Sequence, residues 1–173
     1  MYVFRTSSQS KDAIDTVQLP RMPKAYHRRF VLSPDDTLSR RLHCVRHDAP
    51  VTWRNAVHRF AVYFRREFQY DFIQYSPDES ESLDRAFLFT HDRVEMLAVG
   101  ACSFRYHTNG SCGLSWIWLH PYYRGRGMLS QAWPYFVRRF APFQVEPPLS
   151  KSMTSFMRKL GIADPWNVHA VRR

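Results

Sequence analysis

The stretch LSWIWLHPYYRGRGMLSQAW, Leu114–Trp133, holds a hydrophobic run, a proline, two glycines interleaved with two arginines, and the start of an amphipathic segment. Leu114–Leu119 has the β-branched and aromatic content of a buried strand. Beyond the glycines, Leu129, Ala132, Trp133, Phe136, Val137 and Phe140 fall at i, i+3, i+4, i+7, i+8 and i+11, a one-sided helix. The Arg-Gly-Arg-Gly turn therefore joins a strand to a helix N-terminus. The first amides of a helix lack intrahelical acceptors and lie at the positive end of its dipole. Glycines let a backbone take turn conformations and come close to a ligand, so Arg124–Leu129 reads as a cradle for a phosphate. It is not a Walker loop, because no Gly-Lys-Ser/Thr closes it, nor a dinucleotide G-x-G-x-x-G turn.

Outward from this junction the chain reads as alternating layers. Ala86–Thr90 and Met96–Phe104 are strands. Asn109-Gly110 tolerates the positive φ of a hairpin turn, and with Leu114–Leu119 the three make an antiparallel meander. Phe143–Val145 is a short further strand. Ser150 caps a last helix in which Met153, Phe156, Met157 and Leu160 share a face and Gly161 ends it. Upstream, Ala56, Phe60, Phe64 and Phe68 recur every four residues, with Val57 and Ala61 widening the stripe and Arg59, Arg65, Arg66 and Glu67 around it. Ser33 as N-cap, Pro34, Asp35 and Asp36 predict a helix from Pro34 to Cys44, after a short strand at Arg28–Leu32. Residues 1–27 read as an irregular arm, and Tyr75–Asp84 as an acidic exposed loop. The expected fold is one α/β (α+β) domain over residues 1–173, a mostly antiparallel sheet flanked by helices.

Composition narrows the function classes. The chain is 45% hydrophobic and 16% aromatic, enough to bury a core. No apolar run approaches the roughly 18 residues of a membrane span. The N-terminus lacks an apolar signal core, and Cys44, Cys102 and Cys112 do not make a disulfide framework, so a cytoplasmic protein is expected. Net charge is +10, and residues 87–173 hold 11 Lys/Arg against 4 Asp/Glu, whereas residues 1–86 hold 14 against 11. The half with the glycine turn suits an anionic ligand. His43, Cys44, His47 and His58 lie close in sequence, but a lone cysteine among them lacks the paired spacing of a zinc site, and no metal is expected.

The string LHPYYRGRGML resembles the signature of the GNAT superfamily of acyl-CoA-dependent N-acetyltransferases, Q/R-x-x-G-x-G/A after a strand ending V-x-P-x-Y-R. Leu119, Pro121, Tyr123 and Arg124 match the strand end, and Arg124 and Gly127 the first two signature positions. Leu129 departs from the third. A second marker, N-x-x-A-x-x-L-Y-x-K-x-G-F, is matched in register by SKSMTSFMRKLGI, Ser150–Ile162, and the resemblance covers Phe87–Ile162. It implies a GNAT-like fold and acetyl-CoA as co-substrate. Arg124, Gly125, Arg126, Gly127, Met128 and Leu129 would hold the pyrophosphate. The backbone of Trp118, Leu119 and His120 would bind the pantetheine arm and polarise the thioester. A primary amine would attack directly.

The resemblance supplies no acid or base. The family's tyrosine is Met157 here, and GLSWIWL lacks the family's glutamate. His120, Tyr135 and Ser155, with Ser152 beside it, are the substitutes the sequence offers. Two other readings stand behind an N-acetyltransferase. One is a catalytically weak module of the same fold that binds CoA or a macromolecule. The other is an RNA-directed enzyme whose patch is Arg138, Arg139, Arg158 and Lys159. The acceptor and the oligomeric state, with a homodimer common in the family, are not legible.

Overall fold

A computed structural model describes residues 17–20, 41–78, 84–91, 93–94 and 96–169. Its centre is a six-stranded sheet built from β1 (Val17–Gln18), β2 (Leu42–Val45), β3 (Arg85–Thr90), β4 (Leu97–Tyr106), β5 (Cys112–Leu119) and β6 (Gln144–Val145). Strands β2 to β6 lie side by side in chain order, and β1 joins β4. All pairings are antiparallel except β5 with β6. Among the described residues three helices flank the sheet: α1 (Val51–Phe68), α2 (Met128–Phe140) and α3 (Lys151–Lys159).

Period-two alternation assigns each strand residue to a layer. Ala86, Leu88, Ala101, Trp116 and Trp118 face α1, meeting Trp53, Val57, Phe60 and Phe64. Phe87, Phe89, Cys102, Phe104 and Leu114 face α2 and α3, meeting Phe136, Phe140, Met153 and Met157. Phe104 and Phe140 stack at 4.1 Å, with Phe87, Phe136 and Phe143 around them. The cysteines are all free.

Two bulges bend the sheet where the site forms. Phe89 pairs with Gly100 but Thr90 with Ala98, so Val99 is extra in β4. Ser103 pairs with Trp116 but Phe104 with Leu114, so Ser115 is extra in β5. Each bulge swings the strand and switches which face its next residues meet.

Three readings of the sequence are corrected. Leu42–Val45 is strand, not the end of a helix from Pro34 to Cys44. Leu42 and Val45 bury on opposite faces of the sheet and pair with Phe89 and Ala86, which outweighs the local helix signals. Residues 34–40, like the strand proposed at Arg28–Leu32, lie outside the described residues. The arm 1–27 is not irregular throughout, because Val17 and Leu19 are buried and β1 pairs with Leu97 and Ala98. RNAVHRFAVYFRREFQYDF, Arg54–Phe72, reads as the long helix around the Ala56–Phe68 stripe, whereas α1 begins three residues earlier, at Val51, and ends at Phe68. Gln69 takes a left-handed φ of 55° and Tyr70 N–H closes on the Arg65 carbonyl at 3.1 Å.

Gly100 is where β4 and β5 come too close for a side chain. A Cβ there would stand 2.5 Å from the Trp118 carbonyl oxygen and 2.6 Å from Leu119 Cδ2. Gly100→Ala should cost about 1–3 kcal/mol of stability, read as a lower urea midpoint at unchanged slope. An unchanged midpoint would mean that β5 is not held this closely.

Candidate functional site

Strand β6 pairs with β5 at only two positions, Gly113↔Gln144 and Leu114↔Val145, followed by one further bond from Glu146 N–H to the Leu114 carbonyl at 3.0 Å. The next donor in this ladder would be the amide of residue 148. Pro148 has none, and Pro147 precedes it. The strands part there, opposite the Ser115 bulge. Beyond Leu114 no described strand pairs with that edge of β5.

A solvent-open cleft of about 380 Å³ fills the parting. Phe64, Phe68, Tyr70 and Trp116 wall it on the α1 side, and Ile117, Leu149 and Met153 on the α3 side. Glu146 lines it too. The cleft thus reaches both faces of the sheet through the gap.

The backbone along the gap is directional. His120 N–H donates to the Val99 carbonyl at 2.8 Å, so strand alternation turns His120 and Trp118 towards β4 and Leu119 and Ile117 towards the open edge. Of the three residues expected to meet a pantetheine arm through their backbone, only Leu119 faces the gap, and Ile117 joins it. A motif cannot resolve this, because which carbonyls face out depends on pairing register.

At the end of β5 a single 3₁₀ turn, Pro121–Tyr123, leads into the glycines. His120 is buried, and its Nδ1 accepts from Tyr122 N–H at 3.2 Å, so the imidazole caps this turn. Gly125 and Gly127 have φ of 72° and 79°, which an L side chain resists, and the space over both is open. Gly127 is the N-cap of α2 and offers no side-chain acceptor. The first amides of α2 are left without a side-chain cap at the positive end of the dipole, with no acidic residue in the first turn.

The two arginines of the turn are not equivalent. Arg124 turns to α1: its guanidinium meets both carboxylate oxygens of Glu67 at 2.7 and 2.6 Å, and its Nε donates to the Leu119 carbonyl at 2.8 Å. Glu67 Oε2 also accepts from the buried Trp118 indole at 2.8 Å. Arg126 lies exposed over the Tyr122 ring, its guanidinium carbon 4.1 Å from the centroid. Arg124 therefore ties the turn to β5 and α1, while Arg126 stays exposed beside the α2 N-terminus. Nothing in the sequence ties Glu67 to Arg124, 57 positions away.

The expected catalytic substitutes do not converge. Tyr135 packs over Phe87 on the α2 face, 5.9 Å between centroids, and burial pushes its phenol up to about 12. Ser155 and Ser152 are exposed on α3, and Met157 is buried in the core. His120 is next to Trp118, which faces α1. Among the described residues no group of three or more His, Cys, Asp or Glu could hold a metal ion. No described helix is long and apolar enough to cross a membrane.

No protein-family model and no curated protein sequence matches the chain. Solved structures do. The xEco2 acetyltransferase domain superposes with a TM-score of 0.54 at 13% identity, covering 76% of this chain and 91% of that one. The same domain bound to a K105-CoA conjugate gives 0.52 at 13%, covering 76% and 93%. The ribosomal-protein-alanine N-acetyltransferase of Brucella melitensis biovar Abortus 2308 gives 0.47 at 13%, covering 76% and 98%. The fold is GNAT-like, that of the xEco2 acetyltransferase domain.

The Arg124–Glu67 pair holds the Glu67 carboxyl below the usual carboxylate range, chiefly through the arginine hydrogen bonds and against the opposing effect of burial. A depressed carboxyl stabilises the fold above its unfolded pKa, near 4.3, and loses that contribution as pH falls through the folded value. Glu67→Gln should lower stability at pH 7 by about 1 kcal/mol, since the pair is a third exposed. The difference from wild type should be full above about pH 4.3 and shrink steadily as pH falls below it, in melting curves taken from pH 7 to pH 2. A pH-independent difference would mean that the charge of Glu67 is not what matters.

Proposed function

We propose that this chain is an acyl-CoA-dependent N-acetyltransferase that transfers an acetyl group from acetyl-CoA to a primary amine by direct attack. The carrying observation is the open edge of β5, which runs along the parting from β6 and ends at the uncapped N-terminus of α2.

A CoA molecule needs two kinds of contact, and this surface offers both in sequence. Its pyrophosphate is met by the amides of Gly127, Met128 and Leu129 and by Arg126. Its pantetheine amides lie along Leu119 and Ile117 like an added strand. The acetyl group then enters the gap near the Ser115 bulge. An outward amide of β5 polarises its carbonyl and stabilises the oxyanion that forms under attack. The acceptor comes from the opposite, α1 side. Arg124 acts through shape, fixing Leu119 and the turn in one geometry.

The residues expected as acid and base by position do less. Met157 fills the core where the resemblance places a tyrosine, so the thiolate leaves without a phenol to protonate it. That observation favours a second reading, a CoA-binding module without turnover. Acetyl transfer to a panel of amines separates the two.

Acetyl-CoA at a hundredfold excess over Kd should stabilise the fold by about 2.7 kcal/mol, a rise in Tm of roughly 5–10 °C for a domain of this size. Gly127→Glu should abolish the rise, placing a carboxylate where phosphate would sit and an L side chain at φ 79°. Arg126→Ala should weaken binding about tenfold, near 1.4 kcal/mol for one charge-assisted contact. A wild-type chain whose Tm ignores acetyl-CoA would overturn the proposal.

A further inference from the structure

A carboxylate stands in the cleft that neither the turn nor the cofactor track uses. Glu146 follows β6, and its N–H bond to Leu114 fixes it at the point where the strands part. Its side chain lies over Gly113: a Cβ on that glycine would be 2.5 Å from Glu146 Oε1 and 3.1 Å from Cγ. Leu114 points to the α2 and α3 core, so Gly113 presents its bare side to α1. The carboxylate is therefore on the α1 side of the sheet, where Gly113 leaves room for it.

Oε1 is shut off from solvent and takes no hydrogen bond. His107 Nε2 is 3.3 Å away, close enough for charge attraction but outside hydrogen-bonding geometry, and is shared with Gln144 Nε2 at 3.3 Å. Around the same cleft stand Phe64, Phe68, Tyr70 and Trp116, with Phe64 4.9 Å from Tyr70, 5.0 Å from Phe68 and 5.9 Å from Trp116. The titratable groups that feel Glu146 are His107 in the β4–β5 turn, Tyr70 after α1 and Cys112 on β5. Burial and the charge of Glu146 together raise the Tyr70 phenol and push the Cys112 thiol up to about 11.

Oε1 is turned to His107, and the rest of the Glu146 side chain, a fifth exposed, lines the cleft; a carboxylate set among aromatic rings matches a cation on an apolar stem. We propose that this is the acceptor subsite for a protonated primary alkylamine, with the ammonium on Glu146 and the methylenes against Phe64, Phe68 and Tyr70. The inference rests on the acetyltransferase reading and adds the acceptor class and a catalytic residue. The ammonium gives one proton to the Glu146 carboxylate. The freed nitrogen lone pair forms the C–N bond to the thioester carbon. The C–S bond then breaks with its electron pair on sulfur, and the second nitrogen proton goes to that thiolate. Amide and CoA thiol leave, and Glu146 returns its proton to water. Gly113–Leu119 holds no carboxylate, so the base comes from across the gap.

The test uses the full chain loaded with CoA. n-Butylamine and n-butanol are titrated separately while the indole signals of the tryptophans are followed by NMR. Acetyl transfer is measured in parallel with n-butylamine and with a lysine-containing peptide, which separates free amines from side-chain amines as the source. Wild type should bind the ammonium and not the alcohol. Glu146→Gln should keep its affinity for acetyl-CoA, lose at least tenfold in amine binding, and lose about 10²-fold in acetyl transfer. Gly113→Ala, which displaces the carboxylate without removing it, should do the same. The inference is overturned if Glu146→Gln binds and acetylates amines like wild type, or if wild type binds acetyl-CoA but shows no preference for the ammonium. A wild type that binds no acetyl-CoA removes the acetyltransferase reading and this inference together.

Discussion

The structure turns on one failure of pairing. Strands β5 and β6 start as parallel neighbours and separate after two pairs, because Pro148 brings no amide where the next ladder bond belongs. Parallel strands otherwise stay together over their length, buried on both faces. Here the ladder stops, the Ser115 bulge bends β5 away, and a hydrophobic sheet acquires an opening between its last two described strands. The backbone of Leu119 and Ile117 is left facing that opening.

The rest of the molecule holds the gap in shape. On one face α1 presses Trp53, Phe60 and Phe64 onto the sheet, and on the other α2 presses Phe136 and Phe140 against Phe104. The two ends of the gap are pinned by polar contacts of different kinds. At one end Arg124 clasps Glu67 and the Leu119 carbonyl, so the glycine turn cannot drift from the strand it follows. At the other, Glu146 is anchored through its amide and held over Gly113. A site built this way keeps its donors fixed before any ligand arrives, which is what differential stabilisation of a transition state needs.

How much of this was legible follows from range. The helix after the glycines, the Ser150 cap, the meander and the α1 stripe were all readable, because each is written within a dozen residues. The turn's place between strand and helix was readable for the same reason. Leu42–Val45 reads as helix because capping residues upstream signal one, while its pairing with β3, more than 40 positions on, leaves no local mark. The division of labour between Arg124 and Arg126 was equally hidden: the motif presents two arginines, and only the approach of Glu67 tells which is bound. His120 is a suggestive residue in sequence but a capping residue in space. Nothing near Glu146 in the chain marks it. Its meaning comes from Gly113 and from rings on α1.

The central claim is that the open edge of β5 and the first turn of α2 form one continuous track for a CoA molecule. Backbone amide signals of the ¹⁵N-labelled chain, followed during titration with acetyl-CoA, test it most directly. Shifts should concentrate at Ile117, Leu119 and Gly125–Leu129, with the amides of Trp118 and His120, turned towards β4, moving least. Shifts confined to the basic ends of α2 and α3, or none along β5, would contradict it.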